Sequence, residues 1–250
     1  MILEYVRPET LGEALEYLAR PTPKTVPLGG GTVLNAPSDQ SFAVVDLQAL
    51  GLDKIELKGR SIEVGATATL QTLLEVEEIQ PALAEAIRHE SAYNLRQSGT
   101  VAGSLVSGGG RSPFLAAMLA LGTDLTWEPG NQSQPLGEFL PLRAGAWPGS
   151  LITKVSFSLQ TELAYHFVAR TPADRPVVSA VVARWPSGRT RIVLGGYGKA
   201  PLTILDGEAN EGVLQAAEAA YLTAEDQWAS AEYRSQTARV LVARCLETLS

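Results

Sequence analysis

Two runs of three glycines are the residues whose type and spacing could do chemistry in this sequence. Gly29–Gly31 follow a short apolar stretch in PLGGGTVLNAP, and Gly108–Gly110 lie in TVAGSLVSGGGRSP. Glycine accepts positive φ and lets a ligand touch the main chain, and successive backbone N–H groups in tight turns form nests that bind anions. Hydroxyl side chains that could also donate to a phosphate flank both runs: Thr32, Thr100, Ser104 and Ser107. Two separated nests would suit a pyrophosphate, although an ordinary glycine-rich turn also explains each run taken alone.

Known phosphate-binding signatures are absent from the sequence. There is no GxxxxGK[ST] P-loop, and the nearest approach to GxGxxG, which is GYGKAP from Gly196, has Pro201 in the last position. A doubly wound dinucleotide-binding fold is therefore disfavoured. The residue pattern alone goes no further than two possible anion-binding loops.

Composition and charge exclude several classes of function. Of the 250 residues, 45% are hydrophobic and 19% are charged, as in globular proteins, and the formal net charge of −7 argues against nucleic acid as a partner. A single cysteine, Cys245, can form neither an intramolecular disulfide nor a cysteine-bound iron–sulfur cluster. His89 and His166 lack metal-ligand spacing, so we expect no metal site, and no catalytic residue emerges from the pattern.

The start of the sequence bears on where the protein is located. MILEYVRPETLGEALEYL has acids and a proline where a signal peptide has a basic end and an apolar run. No apolar segment approaches the roughly 20 residues of a membrane span. We therefore expect a cytoplasmic protein without a membrane span.

Mixed strands and helices precede a series of strands, which predicts the α+β fold class. Thr10 and Glu13 form a capping box at the start of the first helix, and alternating residues at 54–66 predict a hairpin. Further strands are predicted at 42–46, 123–127, 150–159, 162–170, 176–185 and 190–198. Further helices are predicted at 69–76, 81–90, 113–122, 210–222 and 231–249. The change in pattern predicts a first domain at 1–158, with lobes at about 1–53 and 54–158, and a smaller domain at 159–250.

The segments around both candidate loops resemble one known family. GGGTVL at 29–34 is similar to the A-G-G-[TS]-x-L loop of the flavin subunits of the molybdenum hydroxylases, the xanthine dehydrogenase and aerobic carbon monoxide dehydrogenase group. RQSGTVAGSL at 96–105 is similar to the family's R-N-x-[GA]-T-I-G-G-[NS]-L, in the same order and at a similar spacing. The resemblance continues along the chain in four further segments: YVRPETLGEALEYL, ARTPADRPVVSAVVA, IVLGGYGKAP and ASAEYRSQTARVLVARCL.

This resemblance implies a two-lobed FAD-binding domain of the molybdopterin-dehydrogenase flavoprotein type, followed by a smaller α/β C-terminal domain of meandering strands and helices. FAD would lie between the lobes, with its pyrophosphate against the main chain of both loops. The resemblance assigns cofactor binding to Leu28, Gly29, Gly30, Gly31, Thr32, Val33, Leu34, Arg96, Thr100, Val101, Ala102, Gly103 and Ser104.

The resemblance also implies an oxidoreductase subunit without catalytic residues of its own. It would pass electrons from iron–sulfur clusters to FAD and on to an external acceptor. Its implied partners are a large molybdenum-cofactor subunit, where the substrate is oxidised, and a small [2Fe-2S] subunit, in a dimer of heterotrimers.

Three features depart from the family pattern. One is the GGGRS segment at 108–112, which replaces a segment with little glycine in the family and whose Arg111 could contribute positive charge towards an anion. The other two are single residues. Ala102 replaces the first glycine of TIGG, which costs energy only if that position needs positive φ. Pro113 stands where the family usually has an aspartate that bonds the cofactor, and proline offers neither a side-chain acceptor nor an N–H. The alternative interpretation is therefore a structural subunit of such a complex that has lost FAD.

Overall fold

The computed structural model describes residues 1–35, 40–145, 147–208 and 212–250, which fall into two compact units. The first unit comprises Met1–Val76, Tyr93–Ser107 and Asp124–Phe157. The second comprises Glu77–Ala92, Gly108–Thr123 and Ser158–Ser250. Each unit is therefore built from several separate stretches of the chain.

Twelve strands and nine α-helices lie within the described residues. In chain order they are β1 (Ile2–Val6), α1 (Leu11–Ala19), β2 (Thr25–Leu28), β3 (Phe42–Asp46), β4 (Ile55–Lys58), β5 (Ser61–Gly65), α2 (Leu70–Leu74), α3 (Pro81–Glu90), α4 (Tyr93–Arg96), α5 (Val101–Ser107), α6 (Pro113–Ala120), β6 (Asp124–Glu128), β7 (Gln132–Pro135), α7 (Leu136–Leu142), β8 (Leu151–Ser158), β9 (Glu162–Val168), β10 (Val178–Arg184), β11 (Thr190–Gly195), β12 (Leu202–Gly207), α8 (Val213–Ala219) and α9 (Ala231–Thr248). None of these helices is long and apolar enough to cross a bilayer.

The first unit contains two sheets. Strands β1, β3 and β2 form a three-stranded parallel sheet in that order, with the buried FAVVD strand in the middle. Helix α1 begins at the predicted cap, where Thr10 Oγ1 accepts from Glu13 N at 3.3 Å, and it buries Ala14 and Leu18 against this sheet. The second sheet has the strand order β4-β5-β8-β6-β7.

The second unit is a four-stranded antiparallel meander covered by helices. Its strand order is β12-β11-β10-β9, and the central VSAVVAR strand is buried along nearly its whole length. Ala180 and Val182 pack with the side chains of α8 and α9, among them the buried Cys245. On β9, Phe167 instead packs edge-on against His89 of α3, with 4.3 Å between ring centroids. Successive residues of the strands thus alternate between two helical layers, as the period of two requires.

The predicted α+β class is confirmed. The segment at 150–159 forms a strand as predicted, and β8 pairs into the five-stranded sheet. The fourth meander strand is β12, which was not predicted because this edge strand is largely exposed and lacks a buried alternation. The division into domains at residue 158 stays a prediction.

Arg234 on α9 is a fully buried cation that ties together the loops around it. Its guanidinium donates to three carbonyl oxygens and one carboxylate: Val177 O at 3.2 Å, Ala224 O at 2.7 Å, Ala229 O at 2.9 Å and Asp226 Oδ1 at 2.7 Å. Because its side chain is 0% exposed, these acceptors are its replacement for water. The arginine therefore stabilises the second unit through hydrogen bonds that no apolar residue can make.

We predict that Arg234→Met lowers the free energy of unfolding by about 3 kcal/mol, because it leaves buried acceptors without donors. Urea denaturation at pH 7 measures the change. Arg244→Met, on an exposed position of the same helix, is the control and should change stability by less than about 0.5 kcal/mol. Equal effects of the two substitutions would contradict the role given to Arg234.

Candidate functional site

The first glycine loop leaves the sheet at the end of β2 and turns sharply. Leu47 N donates to Leu28 O at 3.0 Å, which fixes the point where the strand ends. Gly31 then has φ of +68°, a backbone conformation that favours glycine, and Asn35 N closes the turn on Gly31 O at 3.3 Å. Within the described residues, the amides of 30–34 donate to no protein acceptor. The loop therefore presents a series of available N–H groups.

The second loop is held on both sides by the segment at 66–70. Leu70 N donates to Gly99 O at 2.8 Å, and Val101 N donates to Ala68 O at 2.8 Å. Thr100, between these two bonds, lies in an isolated β-bridge with Thr69. The loop before α5 is thus attached to neighbouring backbone rather than free in solvent.

The two predicted loops meet within the first unit, and the missing side chains of glycine make this contact possible. A Cβ on Gly30 would overlap the carbonyl oxygen of Ser98. A Cβ on Gly29 would lie 2.9 Å from Thr100 Oγ1, closer than carbon and oxygen tolerate. The first loop therefore packs with its main chain directly on the second.

The side chains of the first loop after its glycines are exposed or half-buried. Thr32 and Val33 are exposed, and Leu34 is half-buried. Thr32 also lies beside the second loop, since a Cβ on Gly99 would be 4.0 Å from Thr32 Cγ2. The Thr32 hydroxyl is thus available next to the free amides.

The predicted residues at the start of α5 differ in what they can offer a ligand. Val101 and Ala102 have buried side chains, and their amides donate to Ala68 O and Ala66 O. Gly103 is exposed and Ser104 is half-buried, but their amides donate to Thr100 Oγ1 at 3.2 Å and Thr100 O at 2.9 Å. The Ser104 hydroxyl and the exposed main chain of Gly103 are what remain at the surface.

Arg96 lies at the end of α4, before the second loop. Its Nε donates to Gln71 Oε1 of α2 at 3.2 Å, and its guanidinium lies 5.9 Å from the ring centroid of Tyr93. These contacts brace α2 against α4. Direct contact of Arg96 with a cofactor stays a prediction.

The second triple glycine belongs to the other unit and has a packing role there. A Cβ on Gly110 would overlap the carbonyl oxygen of Tyr197. Gly110 N donates to Gly198 O at 3.0 Å, and Gly196 N donates to Gly110 O at 2.7 Å. This run therefore lies against the turn after β11, which is reason enough for a residue without a side chain.

Pro113, the second single-residue departure from the family pattern, is the first residue of α6, where its missing N–H costs nothing. The helix cap around it uses Glu90, a buried carboxylate that accepts from Ser112 Oγ at 2.5 Å and Phe114 N at 3.2 Å. Arg175 pairs with the same carboxylate at 2.8 Å, although burial still raises the pKa of Glu90. Pro113 thus fits its helix but can supply no hydrogen bond to a ligand.

The first part of the chain matches one known protein family. The model of the family described as FAD binding domain in molybdopterin dehydrogenase matches residues 1–157. The chain belongs to this family. FAD is the cofactor of the family, and membership makes the chain a flavoprotein component of an oxidoreductase.

Two relatives cover nearly the whole chain. The Escherichia coli (strain K12) protein YgfM is 29% identical over 250 residues, which are 97% of this chain and 95% of YgfM. The carbon monoxide dehydrogenase medium chain of Afipia carboxidovorans is 26% identical over 278 residues, with 98% of this chain and 95% of the relative covered.

Solved structures share the fold. A reconstituted CO dehydrogenase from Oligotropha carboxidovorans superposes with a TM-score of 0.80 at 24% identity, over 98% of this chain and 96% of that one. Quinoline 2-oxidoreductase from Pseudomonas putida 86 gives a TM-score of 0.79 at 21% identity, over 98% and 95% of the two chains.

The residues of the first loop fit the diphosphate of FAD. Five consecutive amides, at 30–34, have no protein acceptor among the described residues and can donate to an anion. Gly31, whose side-chain position is not filled by the second loop, has no side chain to keep a phosphate from the main chain. Ser98, whose carbonyl supports this loop, was missed because a serine in a turn gives no signal of such a contact.

Ala102, the first single-residue departure from the family pattern, fits its helix without strain. Among the described residues only Asn131 combines a side chain with positive φ, so Ala102 has ordinary helical backbone in α5. Its methyl group is 7% exposed and packs in the core of the first unit. The substitution of alanine for glycine therefore carries no conformational penalty.

We predict that restoring the family glycine, Ala102→Gly, lowers the free energy of unfolding by about 1 kcal/mol, because it adds backbone freedom and removes a buried methyl group. Urea denaturation of the FAD-free protein is the measurement. Ala14→Gly, at a buried position of α1, should give a loss of the same size. A gain in stability from Ala102→Gly would show that this position needs glycine after all.

Proposed function

We propose that the chain binds FAD with the pyrophosphate at the first glycine loop and acts as the electron-transfer flavoprotein subunit of a molybdenum-containing hydroxylase. The observation that carries the proposal is the loop at 29–34, which contains a glycine at φ of +68° and whose amides at 30–34 have no protein acceptor among the described residues. The supporting observation is the second loop beside it, which carries the other half of the family pattern.

Within this proposal the two loops have different tasks. The amides of 30–34 hold the phosphate oxygens, and the exposed Thr32 hydroxyl adds a donor beside them. From the second loop, the Ser104 hydroxyl and the exposed main chain at Gly103 face the same ligand. Val101 and Ala102 contribute by filling the core below, since their side chains and amides are already used inside the unit.

The proposed partners follow from the relatives. The carbon monoxide dehydrogenase relative is a medium chain by name, which supports a large molybdenum-cofactor subunit and a small [2Fe-2S] subunit beside this one, as a dimer of heterotrimers. Bound FAD would supply the redox chemistry, by taking electrons from iron–sulfur clusters and delivering them to an external acceptor. The chain itself would set the position of the cofactor and its access to solvent.

The domain division and the location are part of the same proposal. Residues 1–158 would form the FAD-binding domain, in lobes at about 1–53 and 54–158, and residues 159–250 the C-terminal flavoprotein domain. The family match at 1–157 supports this division. We further propose that the complex is cytoplasmic.

We predict that the purified chain is yellow, or takes up added FAD with quenching of flavin fluorescence. Gly31→Ala should weaken FAD binding about tenfold, because alanine at positive φ costs about 1 to 2 kcal/mol in the loop that holds the diphosphate. Gly51→Ala is the matched control: its φ is +65°, its Cβ would meet open space, and it lies in the same unit outside both loops. It should lose similar stability and keep its affinity for FAD.

A colourless protein that takes up no FAD would support the alternative function, a structural subunit that has lost the cofactor. Equal FAD affinities of Gly31→Ala and Gly51→Ala would place the diphosphate elsewhere.

The partner proposal is tested separately, by co-expression with the chains encoded next to this one. A large chain and a cysteine-rich small chain that co-purify with it would support the assembly, and their absence from the complex would contradict it.

A further inference from the structure

We propose that Gly30 and Thr100 are positioning residues that lock the two loops together before FAD binds. The inference rests on the proposed function for the ligand, but its structural basis lies in the contacts of the FAD-free chain. It assigns to these two residues a task that direct contact with a cofactor does not include. The second loop, in this view, holds the first loop in its binding shape.

Gly30 carries the argument because its backbone conformation does not require glycine. Gly31 has φ of +68°, whereas Gly30 does not lie in the left-handed region. Any residue could adopt the backbone of Gly30 if there were room for its Cβ. The room is taken by the carbonyl group of Ser98 and, at 3.2 Å from the position of such a Cβ, by Gly99 N. Contact with the second loop therefore explains this glycine without a ligand.

Thr100 supplies the complementary surface. Its side chain is 6% exposed and lies against Gly29, and its Oγ1 accepts from Gly103 N at 3.2 Å. The hydroxyl thus shapes the first turn of α5 on one side and supports the first loop on the other. An apolar residue of the same size would preserve the packing but lose the hydrogen bond.

The second loop is rigid enough to serve as a support. Hydrogen bonds from Leu70 N to Gly99 O and from Val101 N to Ala68 O hold it on both sides of Thr100. The first loop, by contrast, has free amides between Gly30 and Leu34 within the part of the chain that the structure describes. Its shape therefore depends on the surface on which it packs. A loop that is already ordered binds its ligand without a further loss of conformational entropy.

Gly109 is a glycine that has no such contact with neighbouring backbone. A Cβ on Gly109, the middle residue of the second triplet, would meet nothing within 4 Å. Gly30 is the middle residue of the first triplet, yet its Cβ would overlap backbone. Both are the middle residue of a triple glycine, and they differ in what lies against them, so Gly109 is the comparison position for Gly30.

The test is amide hydrogen–deuterium exchange of the FAD-free chain, read by mass spectrometry. Gly30→Ala should speed exchange about tenfold in peptides covering 98–104, although the substitution lies on the other loop. Peptides covering β10 serve as the internal reference and should not change. Gly109→Ala should leave the exchange of 98–104 as in the parent chain. Unchanged exchange of 98–104 in a folded Gly30→Ala variant would overturn the proposal.

A second pair of variants decides the matter if Gly30→Ala fails to fold. Thr100→Val keeps the shape and removes the acceptor of Gly103 N, so exchange of 98–104 should rise and FAD affinity should fall about tenfold. Thr100→Ser restores the hydroxyl and should recover most of both. Equal behaviour of the valine and serine variants would overturn the role of the hydroxyl.

The two proposals fail in different ways. If the parent chain binds no FAD but Gly30→Ala still speeds exchange at 98–104, the loops are locked and the proposed function is wrong. If the parent binds FAD and neither Gly30→Ala nor Thr100→Val changes the exchange of 98–104, the proposed function stands. The proposal that Gly30 and Thr100 hold the loops together is then wrong.

Discussion

The contact between the main chain of Gly30 and the carbonyl of Ser98 is the constraint on which the candidate site depends. It brings together two loops that are about 70 residues apart in the sequence, and it does so only because no Cβ intervenes. Each glycine of the first triplet lacks a side chain for a different structural reason. Gly29 leaves space for the side chain of Thr100, Gly30 leaves space for a carbonyl, and Gly31 takes a positive φ. Within the described residues, the amides of 30–34 have no protein acceptor and can therefore donate to an anion.

The second triplet shows that the same composition can serve a purely structural purpose. Gly110 packs against the backbone of the turn at Tyr197 and Gly198 in the second unit. Close approach of two main chains explains one glycine in each triplet, Gly30 in the first and Gly110 in the second. In the loop of the first triplet, the amides of 30–34 have no acceptor among the described residues, and composition does not reveal this.

Much of the fold could be predicted from the sequence, because most elements carry their own signals. The FAVVD strand, the capped first helix and the last helix lie where periodicity and caps place them. Strand β12 gave no such signal, since it is an exposed edge. The pairing of β8 with β5 and β6 could not be predicted either, because a strand's own residues do not determine which sheet it joins.

The candidate site was predicted as two segments through the family resemblance, and the different hydrogen bonding of the two loops emerged only from the structure. Spacing could not show that the amides of Val101 and Ala102 donate to the carbonyl oxygens of Ala68 and Ala66, nor that the carbonyl of Ser98 contacts the first loop.

The measurement that tests the central claim most directly is a titration of the ¹⁵N-labelled FAD-free chain with FAD, followed by amide chemical shifts. The account predicts the largest shifts at 30–34, with little change at 108–110. Shifts that spare 30–34, or that are largest at the second triplet, would contradict it.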